Sequence, residues 1–288
     1  MSEFNGTGSN AWAESSTHLR VDRRNPRYCR VTFDHPPINT ITATTVVELA
    51  ELVGLIEEDR DLNVLVFDSA NSDFYLAHYD VEHDPGRTAA LGVGPTGMHA
   101  WLDLLVRLSR APVVSIASIR GRARGAGSEF VLACDLRFAS RENTLLGQFE
   151  VGAGVVPGGG PMARLSRLVG RGRALEILLV ADDVDGPRAE QYGYVNRVIA
   201  DDRLDDVVDQ MASRLARFDH DAIARTKSYV DRVTLPADSE FPPALADFFE
   251  MLGRPEQQAQ SARLEALGLN VDSDLERSLG RRVVEALP

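Results

Sequence analysis

Two glutamates set in glycine-rich segments are the residues best placed to carry chemistry. Glu129 ends the segment Gly121–Glu129 and directly precedes the apolar run Phe130–Cys134. Partial burial should raise the pKa of its carboxyl and suit it to proton transfer, whereas the structural alternative is a carboxylate stabilised by a helix dipole. Glu150 precedes a second glycine-rich loop that ends at Pro161. Two carboxylates facing one ligand could add or move a proton on each side of a bond.

The glycines of the first segment lie where an apolar strand should turn into a buried helix. Gly125 to Gly127 should therefore sit at a helix N-terminus, where the first backbone N–H groups have no partner within the helix and can receive an oxyanion. Small residues there let a substrate approach the backbone. Pro161 is natural near the start of the next helix.

Competing motifs fail on their residues. The chain has no Gly-x-x-x-x-Gly-Lys-Ser/Thr phosphate loop, and Pro157 stands where a dinucleotide pattern beginning at Gly152 needs its last glycine. No glycine follows Ser128 in register for a serine-hydrolase elbow. The cluster from His78 to Asp84 lacks the i, i+4 histidine pair of a helical zinc site, so we predict a solvated loop and no metal site.

The elements around these segments indicate an α/β core, because short β-rich runs alternate with helical stretches from His18 to about Ala200. The first helix is the clearest, with Thr42 and Thr45 as N-terminal caps. Its apolar side carries Val46, Leu49, Val53 and Ile56, and its predicted polar side carries Glu48, Glu51, Glu57 and Glu58. The predicted strands are Leu19–Asp22, Tyr28–Phe33, Val64–Asp68, Val113–Ala117, Leu136–Ala139 and Val195–Ile199.

Beyond Leu204 the sequence has no further β-rich runs, and the spacing of its apolar residues predicts helices. Its last part, Arg254–Leu287, is heavily charged and carries only a thin apolar stripe. Periodicity leaves three alternatives open for it: packing on the core, contact with another subunit, or partial mobility.

Composition bounds the class of protein. The 288 residues are 44% hydrophobic and 26% charged, typical of a soluble globular protein. Lys+Arg 31 against Asp+Glu 43 gives a net charge of -12, which argues against nucleic acid as the main partner. No apolar run is long enough for a membrane span, and residues 1–17 predict a loose tail rather than a signal peptide. Cys29 and Cys134 cannot form a disulfide framework, so we expect buried thiols and a cytoplasmic location.

The order and spacing of these segments resemble the crotonase, or enoyl-CoA hydratase/isomerase, superfamily over roughly His18 to Val230. The matching segments are His35–Asn39, Ala77–Asp80, Gly125–Glu129 with Ala133–Asp135, Gly147–Glu150, Val156–Gly160, Arg164–Gly170 and Tyr192–Asn196. The resemblance implies an α/β fold built as a crotonase-like spiral of repeated ββα units. It divides the chain into a flexible N-terminal tail (1–17), the core (18–203) and a C-terminal helical region (204–288), and it implies a homotrimer or a dimer of trimers.

The resemblance also implies a chemistry. The substrate would be an acyl-CoA thioester, whose oxygen the backbone N–H groups of Tyr79 and Ala126 would bind as an enolate develops. Glu129 and Glu150 would hold and deprotonate a water that attacks the β-carbon while a proton reaches the α-carbon, and Gly158 would help to orient that water. Having both carboxylates favours hydration or allylic isomerisation. No metal or redox cofactor is needed, because the thioester supplies the acidity and the protein supplies the dipoles.

The sequence departs from the family pattern at several of these positions. His78 replaces a glycine beside the first oxyanion donor, Ala126 replaces a glycine at the second, and Phe149 replaces a proline before Glu150. The two glutamates lie 21 positions apart, one more than the common pattern, with the extra residue expected between 140 and 144.

Residues that contact the coenzyme are the least specific part of the prediction. Arg120, Arg122 and Arg124 surround the first glycine segment and are either exposed or ion-paired arginines, or a positive patch for the CoA phosphates or another subunit. By resemblance, backbone near Pro37, Ile38 and Ala77 would border the adenine and pantetheine. The predicted substrate-binding residues are therefore Pro37, Ile38, Ala77, His78 and Arg122.

Two alternatives to a hydratase or isomerase stay open. One is a crotonase-fold C–C bond hydrolase, cyclase or decarboxylase that uses the same oxyanion hole on an unusual substrate. The other is a catalytically idle crotonase-fold scaffold whose altered C-terminal tail binds a partner.

Overall fold

The computed structural model describes residues 16–81 and 85–287, and its larger sheet has six strands in the order β1-β2-β3-β5-β7-β10. The strands β1 and β2 are antiparallel, and the remaining neighbours in this sheet are parallel. The strands are β1 (Leu19–Asn25), β2 (Tyr28–Phe33), β3 (Val64–Ser69), β4 (Phe74–Leu76), β5 (Val114–Ile119), β6 (Arg122–Arg124), β7 (Leu136–Ser140), β8 (Leu145–Gly147), β9 (Val184–Asp185) and β10 (Arg197–Ile199).

A smaller four-stranded sheet follows the order β4-β6-β8-β9. Each of the successive pairs β3 and β4, β5 and β6, and β7 and β8 places its first strand in the larger sheet and its second in the smaller one. At least one helix follows each pair along the chain. This alternation is the predicted spiral of ββα units, and the α/β fold class is confirmed.

The helices connect and cover the two sheets. They are α1 (Ala43–Glu58), α2 (Pro85–Ala89), α3 (Ala100–Arg110), α4 (Ala126–Ala133), α5 (Pro161–Leu168), α6 (Arg171–Val180), α7 (Gly186–Tyr192), α8 (Leu204–Leu215), α9 (His220–Thr234), α10 (Pro242–Leu252), α11 (Pro255–Ala266), α12 (Asp274–Arg277) and α13 (Leu279–Arg282), with 3₁₀ turns at Asp201–Arg203, Asp238–Glu240 and Val283–Ala286. None of the helices within the described ranges is both long enough and apolar enough to cross a membrane.

The first helix begins as its sequence predicts. Thr42 is the N-cap, and its side chain accepts a hydrogen bond from the backbone N–H of Thr45. The apolar side is buried against the larger sheet. Glu48 is the exception to the predicted polar side, because its buried carboxylate accepts hydrogen bonds from Ser16 and from the backbone N–H groups of Thr17 and His18. These contacts hold Ser16 and Thr17 on the core, and the rest of the predicted tail, residues 1–15, lies outside the described residues.

The region beyond residue 203 is helical, but its parts pack differently. The helix α8 buries Leu204, Val208 and Ala212 against the larger sheet. The helices α9 and α10 have no buried residue. The last helices pack on the loop after Glu150 through a separate apolar cluster. Of the three alternatives for Arg254–Leu287, the structure shows packing on the core, and contact with another subunit stays a prediction. The buried members of that cluster are Ala153, Leu264, Leu275, Leu279, Val283 and Ala286.

Candidate active site

A cavity of about 110 Å³ lies where the two glycine-rich segments meet. Its wall includes both glutamates, Glu129 and Glu150, together with Tyr79, Ala126 and Gly158. Residues predicted to act together therefore face one cavity, although they are spread over about eighty positions of the chain.

Sheet topology explains why Tyr79 and Ala126 are neighbours. The strands β4 and β6 are parallel, with Leu76 paired to Ala123, so the chain leaves both strands at the same edge of the smaller sheet. Tyr79 and Ala126 each lie three positions beyond this pair. The N–H groups predicted as oxyanion donors are thus carried on adjacent segments.

The backbone around Tyr79 is held by Ile41. The Ile41 N–H donates to the carbonyl of His78 (2.8 Å), and the Ile41 carbonyl accepts from the N–H of Asp80 (2.9 Å). This is the pattern of a parallel bridge between Ile41 and Tyr79, in which the Tyr79 N–H points away from Ile41. Both peptide groups that flank Tyr79 therefore have a fixed orientation.

Ala126 supplies the first N–H group of α4, as the glycine pattern predicts. Gly125 is the N-cap with φ 49, a conformation that glycine adopts readily. An N–H in the first turn of a helix has no partner within the helix. A side chain at Gly127 would collide with the carbonyl of Leu76, so glycine is required for the start of α4 to sit this close to the end of β4.

Glu129 lies in the first turn of α4 and is buried. Its Oε1 accepts from the backbone N–H of Gly159 (2.6 Å), and its Oε2 accepts from the indole N–H of Trp101 (2.8 Å). Burial raises the pKa of the Glu129 carboxyl, while these two hydrogen bonds oppose the shift. A side chain on Gly159 would overlap the carboxylate. Trp101 was missed by sequence reasoning, although a tryptophan in an apolar helix signals a buried N–H that needs an acceptor.

Glu150 is also buried, but in a different setting. Burial and then the charge of Glu129 raise the pKa of the Glu150 carboxyl well above its usual value. Gln148, in the amide orientation that satisfies its neighbours, donates to both carboxylate oxygens (3.1 and 3.2 Å) and accepts from Ser128 Oγ (3.0 Å). The longer interval between the glutamates does not remove Glu150 from the cavity.

Gly158 lies under α10, which closes one side of the cavity. A side chain at Gly158 would approach Leu245 Cδ1 to 3.0 Å and the Phe248 ring to 3.3 Å. Phe249 and Leu252 of the same helix also line the cavity. Periodicity alone could not reveal that this apolar face covers a site.

Several predicted substrate-binding residues lie outside this cavity. Ile38 and Ala77 are buried against Phe74 in a small apolar cluster. Pro37 is exposed, and its carbonyl accepts from the Asn71 amide (2.7 Å). Their predicted contacts with the adenine and pantetheine remain predictions.

The three arginines do not form an open positive patch. Arg122 donates to the carbonyls of Arg277 (2.9 Å) and Asp73 (3.0 Å), and Arg124 is buried with both carboxylate oxygens of Asp183 (2.7 and 2.8 Å). Arg120 pairs with aspartates at the start of the helical region. The ion-paired alternative holds for Arg120 and Arg124, and Arg122 is engaged by backbone carbonyls.

His78 lines the cavity and is 3% exposed. Its Nε2 lies 2.7 Å from Glu276 Oε1, and its Nδ1 lies 3.2 Å from the carbonyl oxygen of Tyr79. Burial lowers the pKa of the imidazole, but the charge and hydrogen bond of Glu276 outweigh it, and the net pKa is raised. Glu276 is a residue of the site that sequence reasoning did not find.

The cluster from His78 to Asp84 was predicted to be a solvated loop, but His78 is buried, which corrects that prediction at this residue. Tyr79, Asp80 and Val81 are half-buried, and Glu82, His83 and Asp84 lie outside the described residues. Elsewhere in the described chain, no group of three or more His, Cys, Asp or Glu side chains is arranged to hold a metal ion.

Comparison with known proteins identifies the family. The model of the enoyl-CoA hydratase/isomerase family matches residues 23–261. The chain is 30% identical over 207 residues to the short-chain-enoyl-CoA hydratase of Clostridium acetobutylicum, covering 70% of this chain and 77% of that protein. It is 31% identical over 180 residues to the crotonyl-CoA hydratase of Syntrophomonas wolfei, covering 62% of this chain and 67% of that protein.

A solved structure agrees over nearly the whole chain. The crystal structure of a Streptomyces avermitilis protein provisionally assigned as an enoyl-CoA hydratase matches with a TM-score of 0.87 and 40% identity, covering 93% of this chain and 97% of that one. The chain therefore belongs to the enoyl-CoA hydratase/isomerase family, within the crotonase superfamily, and is an enzyme of the lyase or isomerase type.

Proposed function

We propose that the protein is a hydratase that adds water across the double bond of a short 2-enoyl-CoA thioester. The observation that carries this proposal is that Glu129 and Glu150, both buried, share one cavity with Tyr79 and Ala126. The names of two relatives, short-chain-enoyl-CoA hydratase and crotonyl-CoA hydratase, support the reaction. The cavity of about 110 Å³ supports a small acyl group.

Glu129 is suited to the role of base. The N–H groups of Gly159 and Trp101 stabilise its ionised form, and each carboxylate oxygen keeps a lone pair that can accept from a water. Glu129 would take a proton from that water as its oxygen bonds to the β-carbon of the thioester, and the backbone of Gly158 would help to orient it.

Glu150 is suited to the role of acid. With Glu129 ionised beside it, its raised pKa favours the protonated form. Its proton would pass to the α-carbon as the enolate collapses. Between the two transfers, the N–H groups of Tyr79 and Ala126 would stabilise the negative charge on the thioester oxygen. The step leaves Glu129 protonated and Glu150 ionised, and exchange with water restores both.

This reaction requires no metal or redox cofactor, because the thioester carbonyl supplies the acidity of the α-carbon and the backbone supplies the dipoles. The partner is a small anionic thioester, which an acidic protein can bind through local N–H groups despite a net charge of -12. Arg120, Arg122 and Arg124 each contact groups of this chain, and binding of the CoA phosphates by Arg122 stays a prediction.

The experiment is hydration of crotonyl-CoA and of longer 2-enoyl-CoA esters, followed by the loss of conjugated thioester absorbance. Glu129→Gln and Glu150→Gln should each lower kcat by about a hundredfold or more, because each removes one proton-transfer group without changing side-chain size. Glu58→Gln, an exposed carboxylate on α1, is the matched control and should keep the wild-type rate.

Other outcomes separate the alternatives. Migration of the double bond without hydration would assign an isomerase. Retained CoA-ester binding without turnover across an acyl-CoA panel would sink the hydratase and point to different enolate chemistry. Absence of binding as well would favour a scaffold.

A further inference from the structure

The end of the chain is docked on the active-site loops by polar contacts. The docked segment, residues 268–277, ends in the short helix α12. Arg122 Nε donates to the carbonyl of Arg277 (2.9 Å), and Arg124 Nη1 donates to the carbonyl of Glu276 (2.6 Å). Cations at the C-terminal end of a helix satisfy carbonyls that have no partner within it. Both arginines come from β6, the strand that leads to Ala126.

Glu276 connects this segment directly to the cavity wall. Its Oε1 lies 2.7 Å from His78 Nε2 and also accepts from the backbone N–H of Asn270 (2.8 Å). Glu276 is fully buried and His78 is 3% exposed. Asn270 and His78 both line the cavity. A buried pair of this kind cannot lose one member without leaving the other unpaired.

His78 passes this connection to the first oxyanion donor. Its second nitrogen, Nδ1, lies 3.2 Å from the carbonyl oxygen of Tyr79. Both neighbours of the ring are acceptors, so the ring donates from both nitrogens and is an imidazolium. The raised pKa of His78 and the lowered pKa of Glu276, where the imidazolium outweighs the effect of burial, agree with this charge state.

With both nitrogens committed, His78 is not placed to exchange a proton with substrate. The titratable and charged groups that face it are Glu276 from the docked segment, Arg124 from β6 and, across Gly125, Glu150. A side-chain carbon at Gly125 would lie 3.0 Å from Glu150 Oε1 and 3.5 Å from His78 Cβ, so the two residues border the same point of the cavity.

We propose that Glu276 and His78 are positioning residues that make the docked segment a working part of this chain's own active site. Together with the Ile41 hydrogen bonds to the two peptide groups that flank Tyr79, the connection from Glu276 through His78 to the Tyr79 carbonyl holds the backbone at the residue whose N–H would serve the thioester oxygen. This inference rests on the proposed function of Tyr79 as an oxyanion donor. It assigns a role to the histidine that departs from the family pattern and to a carboxylate 198 positions away from it.

Two variants break the connection at different links. Glu276→Gln removes the charge that holds the imidazolium. His78→Gln can place an amide near the position of Nε2 and keep a hydrogen bond to Glu276, but it has no donor at the position of Nδ1. Glu285→Gln is the control, because its carboxylate pairs with Arg282 on the exposed side of the same C-terminal region.

Both variants should lower kcat for crotonyl-CoA hydration by about ten- to a hundredfold, with KM changed less than about threefold, because an oxyanion donor acts mainly on the transition state. The double variant should be little worse than either single one, since both break one connection. The control should match the wild type. Thermal unfolding of each variant shows whether the segment stays docked.

A purely structural pair would lower the unfolding temperature and leave kcat of the folded enzyme unchanged, and that result would overturn the proposal. A rise in KM at constant kcat would overturn it as well, because it would mean equal loss of ground-state and transition-state binding.

A stable analogue of the enolate intermediate tests the positioning role separately from the hydratase proposal. A 3-oxoacyl-CoA forms an enolate that absorbs in the near ultraviolet, and an oxyanion site should increase that absorbance on binding. If the wild type raises the band but hydrates no enoyl-CoA, only the proposed reaction fails. Loss of the band in Glu276→Gln and His78→Gln then supports the positioning role, and its persistence overturns it. A wild type that neither turns over nor raises the band overturns both.

Discussion

Two parts of the helical C-terminal region have similar charged sequences but differ in what they bury. The helix α9 exposes apolar side chains, with Tyr229 at 68% and Val233 at 82% exposure, and has no buried residue. The part after Gly253 also exposes some apolar side chains, but it buries polar ones, among them Gln257 and Glu276. A buried polar side chain here marks a connection to the active site, whereas an exposed apolar one marks a surface without a partner in a single chain.

The contacts that attach each of these two parts to the core also differ. The helix α9 is anchored by Lys227, whose Nζ bonds to the carbonyls of Ala111 (2.9 Å) and Val113 (3.2 Å) and to Asp135 (3.0 Å). At the start of the helix, His220 Nδ1 lies 3.0 Å from the Leu62 carbonyl oxygen, and a cavity of about 710 Å³ lies between the helix and the core. The part after Gly253 instead has its own apolar cluster.

The largest predicted effect is a loss of stability when a buried side chain is removed from the apolar cluster of the part after Gly253. Leu275→Ala should lower the free energy of unfolding by about 2 to 5 kcal/mol, because Leu275 is fully buried and its loss leaves a cavity. Val284→Ala, 57% exposed in the same part of the chain, should stay within about 0.5 kcal/mol of the wild type. Urea unfolding measures both, and equal costs would mean that this part is not packed as described.

A charge on α9 should test whether its apolar surface is covered by other subunits. We expect a homotrimer or a dimer of trimers, and Val233→Glu should lower the mass in solution by about threefold or about sixfold, because a symmetric interface repeats the charge in every copy. Val93→Glu, at a position 74% exposed outside α9, is the matched control. Light scattering that shows a monomeric wild type would contradict the expectation.

A smaller effect should appear in the pH dependence of stability. Folding raises the pKa of His78. The contribution of His78 to the free energy of unfolding is therefore fully present below pH 6.5, the ordinary pKa of histidine, and is lost as pH rises through the folded pKa. Folding lowers the pKa of Glu276. The contribution of Glu276 to the free energy of unfolding is therefore present above pH 4.5, the ordinary pKa of glutamate, and is lost as pH falls through the folded pKa. The Tm advantage of the wild type over Glu276→Gln should be largest between these two values, at about a few degrees. A difference that does not change with pH would show that the pair is not charged.

The sequence predicted local features well where neighbouring residues decide them. The N-cap at Thr42, the bounds of β2 and the helix start at Gly125 follow from cap chemistry, β-branched runs and glycine. The strands β4, β6, β8 and β9 were not predicted, because runs of two or three residues are too short for periodicity to show.

The features that the sequence did not predict concern charged residues whose partners are distant in the chain. Glu48 was placed on the polar side of its helix because the residues that bind it lie about thirty positions earlier. The contact between Arg122 and the Arg277 carbonyl could not be predicted either, because the two residues lie 155 positions apart. The predicted contact of Arg122 with the coenzyme stays a prediction. Spacing along the sequence carries no information about such contacts, and only the fold brings them together.

The hydrogen bond between Trp101 and Glu129 has an optical consequence. The chain has two tryptophans, Trp12 and Trp101, and Trp12 falls among residues 1–15, outside the described part. In a Trp12→Phe background, all indole fluorescence would come from a ring that donates to Glu129, the proposed base. Emission from that single fluorophore would report the protonation of Glu129 and the arrival of a ligand in the cavity, without any added label.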